Sequence, residues 1–297
     1  GLQTFEEQVL VHDRKGERRV SPFMVPMIMP NAPGAAISMR FGLQGPNETI
    51  TTACAASTHA IGYATRLIQM GYADVVVSGG TESVMSPVGM AGFQNMTALS
   101  SSGQSKPFDK DRDGFMMTEG SATLVLEEMS SAQSRGANIY GEVLGSGSTA
   151  DAHHITAPAP GGDGALRCMQ LAIEDSGLAS TDIASVNAHG TSTPLNDAAE
   201  AEALSKLFGE DGPPVTSTKG VTGHALGAAG AIEATAVLLS FLHKQIPPTA
   251  GFVNRDPEMA GFNIVTGSGL EWEPGPSMSN SFGFGGHNGS IVLAPVN

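Results

Sequence analysis

The amino-acid sequence predicts a layered α/β fold built from two similar halves. Short apolar runs typical of buried strands alternate with alanine-rich runs whose apolar residues recur at helical spacing, and this alternation favours mixed, mostly parallel sheets covered by helices. Glycine accounts for 38 of the 297 residues and aromatic residues for only 5%, which indicates tight turns and closely packed helices rather than a β-sandwich.

An internal repeat indicates where the halves divide. The segment FGLQGP at 41–46 precedes a predicted strand, a corner at Cys54 and an alanine-rich helix. The segment FGEDGP at 208–213 precedes a predicted strand, a corner at His224 and another alanine-rich helix. This repetition predicts two βα halves, 1–141 and 142–297, each delivering one reactive side chain at a helix N-terminus.

Start and stop signals define the elements of the first half. The four prolines between 21 and 33 predict a folded loop with short helical pieces, while Asn31 and Gly42 are candidate caps of a helix over 32–41. The run ADVVVSGG at 73–80 predicts a fully buried parallel strand. The remaining predictions are strands at 48–52, 120–128 and 139–145, a helix beginning after Cys54, a long irregular segment at 82–114 and a short helix at 130–135.

The second half repeats the alternation of helices and strands. The predicted helices are 163–176, 194–208 and 225–242, and the predicted strands are 183–188, 215–217, 263–266, 277–282 and 289–294.

Composition argues against several classes of protein. The net charge of −14 makes nucleic acid or an anionic membrane an unfavourable partner, and no uninterrupted apolar run approaches eighteen residues. Two cysteines are too few for a disulfide framework, so we expect a reducing cytoplasm. The chain starts without Met and without the features of a signal peptide, which suggests that it begins inside a longer protein.

Cys54 is the first candidate for chemistry. It lies where the predicted strand at 48–52 gives way to a helix, so unpaired N–H groups and the helix dipole are expected to favour the thiolate. The alternative is a small buried hydrophobic residue, the commonest role of a free cysteine. The segment alone leaves both interpretations open, because a nucleophilic cysteine needs partners elsewhere in the chain.

Three further motifs accompany the TACAAS segment around Cys54: NAHGTSTP at 187–194, STKGVTGHALGAAG at 217–230 and NSFGFGGHNG at 280–289. In this order the four motifs resemble those of the β-ketoacyl-(acyl carrier protein) synthases, condensing enzymes with a thiolase-type fold. The intervals also fit, with 135 residues from Cys54 to His189, 35 from His189 to His224 and five from Lys219 to His224. Two histidines rather than a histidine and an asparagine resemble the elongating, type II-like branch.

The resemblance implies a decarboxylative Claisen condensation that elongates fatty acids by two carbons. Cys54 would take an acyl chain from a carrier-protein thioester, and His189 and His224 would hydrogen-bond the malonyl thioester oxygen where negative charge develops. We expect the helix N-terminus to lower the pKa of His224 and keep it neutral. Lys219 and Glu200 match a charged pair that would orient and tune the histidines.

The resemblance also implies a substrate entrance. The N–H groups of Cys54 and Phe284 would form an oxyanion hole, the Phe284 ring would gate the acyl pocket, and the neighbouring glycines would let the backbone approach the substrate. The phosphopantetheine arm would contact a group of substrate-binding residues: Thr156, Thr191, Thr193 and Phe282.

The expected partner is an acyl carrier protein, with a homodimer as the assembly. Arg18 and Arg19 belong to a cluster of four basic residues within six positions and match basic residues that meet the acidic carrier in related enzymes. We expect no cofactor, since the substrates are carried on phosphopantetheine. We expect no metal, because the adjacent His153 and His154 have no Cys or carboxylate at ligand spacing.

Two alternatives stay open. One is a type II polyketide ketosynthase, which uses the same chemistry, and the other is a non-catalytic fragment or partner that binds the carrier protein without condensing. About the first quarter of the family's chain has no counterpart in these 297 residues. The glycine loop also differs, since His287 stands where the family more often has Thr.

Overall fold

The computed structural model describes residues 1–296. Ten α-helices lie in this range: α1 (Leu2–Lys15), α2 (Met24–Ile28), α3 (Ala32–Phe41), α4 (Ala56–Gln69), α5 (Pro87–Asn95), α6 (Met129–Ser134), α7 (Asp163–Ser176), α8 (Pro194–Phe208), α9 (Lys219–Thr222) and α10 (Ala229–His243). The predicted helices in the second half match closely, because α7 ends at Gly177 in a left-handed conformation and α8 starts with Pro194 at its first position.

Nine strands lie in the same range: β1 (Val75–Glu82), β2 (Gly120–Glu127), β3 (Glu142–Ala150), β4 (Ser185–Asn187), β5 (Val215–Thr216), β6 (Gln245–Ile246), β7 (Leu270–Glu271), β8 (Ser277–Gly283) and β9 (His287–Ala294). Most of them form a five-stranded sheet in the order β3-β9-β8-β4-β5, and β1 pairs with β2 in a separate sheet. Helices pack on these sheets, which confirms the layered α/β fold. The sheets are mixed, but the parallel share is smaller than predicted, since only β4–β5 and β4–β8 run parallel among the described strands.

The first half departs most from prediction. Residues 48–52 pair with no strand in the described part of the chain and lie largely exposed, so the strand predicted there is wrong. The strand predicted at 73–80 exists as β1 but is antiparallel to β2, and its residues are partly exposed. Alternate residues of β2 are exposed as well, because this two-stranded sheet is covered on one face only.

Local signals in the first half are better at marking helix ends than at finding helices. Gly42 ends α3 at φ 66°, as predicted, but the Asn31 side chain makes no capping hydrogen bond. Neither α1 nor α5 was predicted. The helix α5 starts where Ser86 Oγ accepts a hydrogen bond from the N–H of Gly89, a cap hidden within a Gly- and Met-rich segment.

The strand predicted at 263–266 is reduced to a bridge between Ile264 and Val215. The strand predicted at 139–145 begins later, at Glu142, and runs on to Ala150, with a bulge between Val143 and Gly145. Strand ends move in this way because tertiary pairing, rather than local pattern, decides them.

The helix α10 lies at the centre of the molecule. It packs against α4, β2 and β8, and it carries buried Ala231, Ala234 and Val237. The stretch Leu226–His243 has a mean hydropathy of 1.5 and would satisfy a membrane span by length and composition alone. A core helix has the same composition, and the buried carboxylate of Glu233 on α10 forms an ion pair with Lys219 of the same chain. We therefore assign α10 to the core.

Candidate active site

Three parallel strands bring the predicted residues to one edge of the five-stranded sheet. His189 follows β4 by two residues, Lys219 follows β5 by three, and Phe284 comes directly after β8. Because β4, β5 and β8 run parallel, these positions meet outside the carboxyl ends of the strands, where α/β sheets commonly bind ligands.

The two halves present Cys54 and His224 in similar ways. A 3₁₀ turn, Ala53–Ala55, holds Cys54 and leads into α4, while a second 3₁₀ turn, Leu226–Ala228, follows His224 and leads into α10. Both turns open with a non-glycine residue at positive φ, 50° at Ala53 and 43° at Leu226. Such backbone strain is typical of functional corners.

Cys54 and His224 lie in direct contact. His224 Nε2 is 3.0 Å from Cys54 Sγ. Both residues are buried, since His224 is 1% exposed and Cys54 is 8% exposed. Burial and the positive charge of Lys219 hold the pKa of His224 well below its usual range, so the imidazole is neutral. The predicted direction is confirmed, but its main cause is burial rather than the helix dipole.

Burial raises the pKa of Cys54 to about 11. Lys219 and the N–H groups of Phe284 and Cys54 lower the pKa of the thiol, but the loss of solvation outweighs them. The expectation that the helix N-terminus makes Cys54 a thiolate is therefore wrong. The residue is a thiol at neutral pH, and a nucleophilic role requires the base that His224 provides.

Lys219 connects the second histidine to the core. Its Nζ donates to the carbonyl oxygen of His189 at 2.6 Å and lies 3.3 Å from His189 Nδ1. Because an ammonium only donates, Nδ1 of His189 is an acceptor and the ring hydrogen lies on Nε2. Burial, Lys219 and His224 keep the pKa of His189 well below its usual range.

The partner of Lys219 is Glu233, not Glu200. Lys219 Nζ forms a fully buried ion pair with Glu233 Oε1, so the predicted Lys219–Glu200 pair is wrong. Glu233 was missed, although a single carboxylate within the apolar run of α10 was a usable signal. Glu200 instead accepts hydrogen bonds from the N–H groups of His189 and Gly190, both at 2.7 Å, and burial raises the pKa of Glu200 to about 7.

The β8–β9 turn reaches Cys54 because residue 283 is glycine. A Cβ at Gly283 would lie 3.0 Å from the Cys54 nitrogen and 2.9 Å from the Thr52 carbonyl oxygen. The N–H of Phe284, the next residue, is thereby close enough to act on the Cys54 thiol. Two backbone N–H groups, those of Cys54 and Phe284, thus lie beside the Cys54 sulfur.

Family comparisons agree with this geometry. The model of the beta-ketoacyl synthase N-terminal domain matches residues 1–132, and that of the beta-ketoacyl synthase C-terminal domain matches residues 140–253. The chain belongs to the β-ketoacyl synthase family.

Two curated relatives of this β-ketoacyl synthase share one name. The 3-oxoacyl-[acyl-carrier-protein] synthase 2 of Synechocystis sp. is 46% identical over 99% of the chain and 72% of the relative. That of Staphylococcus aureus is 46% identical over 99% of the chain and 74% of the relative. The predicted class is confirmed: the chain is an elongating condensing enzyme, an acyltransferase, and its family requires no free cofactor.

Solved ketosynthases have the same fold. A β-ketoacyl synthase from Burkholderia phymatum superimposes with a TM-score of 0.94 at 35% identity, covering 100% of this chain and 73% of that one. A type II polyketide ketosynthase, solved with its acyl-carrier protein and bound to a hexaketide, gives 0.95 at 30% identity, covering 99% and 75%. The predicted thiolase-like architecture is confirmed.

The predicted substrate-binding residues lie in three places around the ketosynthase site. The ring of Phe282 is 5.9 Å from that of His189, and the hydroxyls of Thr191 and Thr193 lie 2.9 Å apart. Thr156 belongs to an exposed turn in which its N–H donates to His154 Nδ1 at 3.1 Å. Their contact with a phosphopantetheine arm stays a prediction.

Arg18 and Arg19 lie apart from the catalytic residues. Both are exposed in a 3₁₀ turn, Glu17–Arg19, that follows α1. They take no part in the chemistry, and their role in docking a carrier protein stays a prediction.

Cys54, His189 and His224 place their ligand atoms within 4.8 Å of one another, a grouping that could in principle hold a metal. The ammonium of Lys219, 3.3 Å from His189 Nδ1, disfavours a second cation at that nitrogen. The donor set therefore fits proton transfer and hydrogen bonding better than metal binding. His153 and His154 lie exposed on a separate loop.

Proposed function

We propose that Cys54 accepts the acyl chain and that His189 and His224 promote the decarboxylation of a malonyl thioester. The observation that carries this proposal is the 3.0 Å contact between Cys54 Sγ and His224 Nε2, with His189 beside it in a buried site. Glu200 and Lys219 support the histidines through the bonds described above.

In the first step Cys54 becomes an acyl thioester. His224 Nε2 takes the thiol proton, the sulfur attacks the incoming thioester carbonyl, and the bond to the pantetheine sulfur breaks. The proton then passes from His224 to the departing thiolate. The N–H groups of Cys54 and Phe284 stabilise the oxyanion of the tetrahedral intermediate.

In the second step a malonyl thioester occupies the site. Its C–C bond to the carboxylate breaks, CO₂ leaves, and the electron pair becomes an enolate whose oxygen accepts a hydrogen bond from Nε2–H of His189. His224, once its neutral ring has changed to the tautomer with hydrogen on Nε2, donates to the same oxygen. The enolate carbon attacks the acyl carbonyl, a C–C bond forms, and the bond to Cys54 breaks to give a β-ketoacyl product two carbons longer. Cys54 leaves as a thiolate, which takes up one proton from solvent to regenerate the thiol.

Product formation tests this sequence of steps. An acyl pantetheine thioester and a ¹³C-labelled malonyl thioester should give the labelled β-ketoacyl product with the native chain. Cys54→Ala should give none, and His189→Ala should still be acylated but should release little CO₂. Cys168→Ala is the matched control, because Cys168 is the other buried cysteine and lies in α7. Equal product from Cys54→Ala and the native chain would contradict the proposal.

The carrier of both substrates is an acyl carrier protein in this proposal. A related polyketide ketosynthase has been solved with such a carrier, and Arg18 and Arg19 offer exposed positive charge on a chain of net charge −14. An acidic carrier would be guided to that turn by local charge despite the overall repulsion.

We further propose that the protein is a cytoplasmic homodimer and that each chain consists of two halves, residues 1–141 and 142–297. The pairing of β1 with β2, apart from the five-stranded sheet, supports the division. The exposed apolar side chains of Tyr63, Tyr72 and Val75 suit a protein interface, and both cysteines are free. Light scattering on the purified protein checks the dimer.

A type II polyketide ketosynthase is the second candidate, because a solved relative of that class matches at 30% identity. The 46% identity to fatty-acid-type relatives favours fatty-acid elongation. Product analysis with the cognate carrier separates the two, since repeated condensation without reduction would indicate a polyketide.

A further inference from the structure

His59, the fifth residue after Cys54, bonds to two separate segments of the site. Its Nδ1 lies 2.7 Å from Thr52 Oγ1, and its Nε2 lies 2.9 Å from the carbonyl oxygen of Asn288. Because a carbonyl only accepts, Nε2 carries the ring hydrogen and Nδ1 accepts from the Thr52 hydroxyl. The hydroxyl of Ser148 lies 3.1 Å from the same Nε2.

Each of the two partners controls one proposed donor of the oxyanion hole. Thr52 directly precedes the strained Ala53 and then Cys54, whose N–H is one donor. Asn288 pairs with Phe282 at the base of the β8–β9 turn, which carries the N–H of Phe284, the other donor. His59 therefore spans the two segments that must meet.

Packing holds the imidazole in place. A Cβ on Gly289 would lie 3.0 Å from Cδ2 and Nε2 of His59, so the ring rests directly on the β9 backbone. Burial and the neighbouring His287 lower the pKa of His59, which keeps the ring neutral and preserves the donor and acceptor pattern at neutral pH.

We propose that His59 is a positioning residue that sets the separation of the two oxyanion-hole N–H groups by tying Thr52 to Asn288. The proposal rests on the proposed acylation of Cys54. Hydrogen-bond donors stabilise an oxyanion only at about 2.7–3.1 Å, and a misplacement of about 1 Å can cost about 100-fold in rate.

Two conservative substitutions separate the two bonds of His59. His59→Asn keeps a polar atom near Nδ1 for Thr52, and His59→Gln keeps one near Nε2 for Asn288. We expect each to slow the acylation of Cys54 by an acyl pantetheine thioester about 10-fold, and His59→Leu to slow it about 100-fold, through kcat with little change in KM. Ser148→Ala is the control, because Ser148 belongs to neither segment of the hole.

Alkylation of Cys54 by iodoacetamide provides the discriminating readout, since displacement at a saturated carbon forms no oxyanion. We expect every His59 variant to be alkylated at the native rate. Native acylation in His59→Leu would overturn the proposal, as would a proportional loss of acylation and alkylation, because the effect would then lie in the thiol or the fold.

Thr52→Val keeps the test open if the His59 variants do not fold. It removes only the hydroxyl that His59 Nδ1 accepts from, and we expect slower acylation with unchanged alkylation. Native acylation in this variant, with the His59 variants unfolded, would also overturn the proposal. Failure of the native chain itself to become acylated would instead contradict the proposed function.

Discussion

Single residues set the electrostatics of the site. The buried ion pair of Lys219 and Glu233 places a positive charge beside His189 while Glu233 balances it within the core. That positive charge lowers the pKa values of His189, His224 and Cys54, whereas burial lowers those of the histidines and raises that of the thiol. The result is a neutral Cys–His contact, in which the base and the nucleophile are both uncharged before substrate arrives.

Glu233→Gln tests the ion pair. Removing one partner of a buried pair leaves an uncompensated charge, so we expect the free energy of unfolding to fall by about 3–5 kcal/mol in urea titrations. Glu202→Gln is the matched control, because Glu202 pairs with Lys206 on the exposed face of α8 and should cost less than about 1 kcal/mol. Similar small losses in both variants would argue against a dominant role for the buried pair.

The pKa of Cys54 predicts an unusual pH profile for its alkylation. Because burial raises the pKa to about 11, the thiolate fraction should keep growing with pH where a free thiol, with a pKa of about 8.5, is already saturated. The rate of Cys54 alkylation by iodoacetamide in His224→Ala, followed by peptide mass against N-acetylcysteine, should therefore still rise beyond about pH 10. A plateau by about pH 10 in a chain that remains folded would contradict the burial effect.

At the scale of elements, the site depends on where strands end. Three parallel strands bring His189, Lys219 and Phe284 to one edge, and a 3₁₀ turn before α4 brings Cys54 to meet them. The β8–β9 turn approaches this corner closely enough that a methyl group at Gly283 would collide with it. The approach of these two segments, rather than either alone, forms the donor pair.

Gly283→Ala tests this close approach. The added Cβ would lie 2.9–3.0 Å from Thr52 and Cys54 backbone atoms, so the turn must shift away and the Phe284 N–H with it. We expect Cys54 acylation to slow by at least about 10-fold, measured by intact mass over time. Gly92→Ala on exposed α5, where a Cβ meets nothing within 4 Å, should acylate normally. Equal rates in the two variants would contradict the account.

Sequence reasoning predicted most of the helices and strands of the second half correctly, and fewer of those of the first half. The helices α7 and α8 have clear end signals, such as Gly177 and Pro194, and the apolar periodicity of α7 matches its burial. The run at 48–52 has strand-forming residues but no neighbouring strand in the described chain, and pairing is what makes a strand. The pattern VVV in β1 suggested burial on both faces, which only the tertiary structure excludes.

The candidate site was also predicted from the sequence only in part. Motif order brought Cys54, His189, His224 and Lys219 together, and the structure places them in contact. Spacing could not reveal that Lys219 turns to Glu233 on α10, because that contact joins separate elements. It also could not give the pKa direction of Cys54, which depends on a balance between burial and nearby N–H groups.

At the scale of the whole molecule, the proposed function requires the chain, with a net charge of −14, to recruit an acidic carrier. Arg18 and Arg19 form exposed positive charge on the surface, at the end of the turn that follows α1. Attraction between surface charges acts over about 10 Å at moderate salt, so local charge can guide docking against an unfavourable total.

Charge reversal of Arg18 and Arg19 to Glu tests this docking surface. We expect the variant to have a higher KM for substrates carried on the acyl carrier protein. Its kinetics with pantetheine thioesters, which need no docking, should be unchanged. High salt should likewise weaken the binding of the carrier protein to the native chain. Reversal of Lys244, an exposed residue paired with Glu273 on another part of the surface, is the control. Equal loss with both kinds of substrate would place the effect in the fold instead.

Acylation of Cys54 is the central claim, and intact mass measures it directly. The 297-residue chain is incubated with a medium-chain acyl-carrier-protein thioester beside Cys54→Ala. We predict a gain of one acyl group on the native chain and none on the variant. No gain on the native chain, or a gain that persists in Cys54→Ala, would contradict the account.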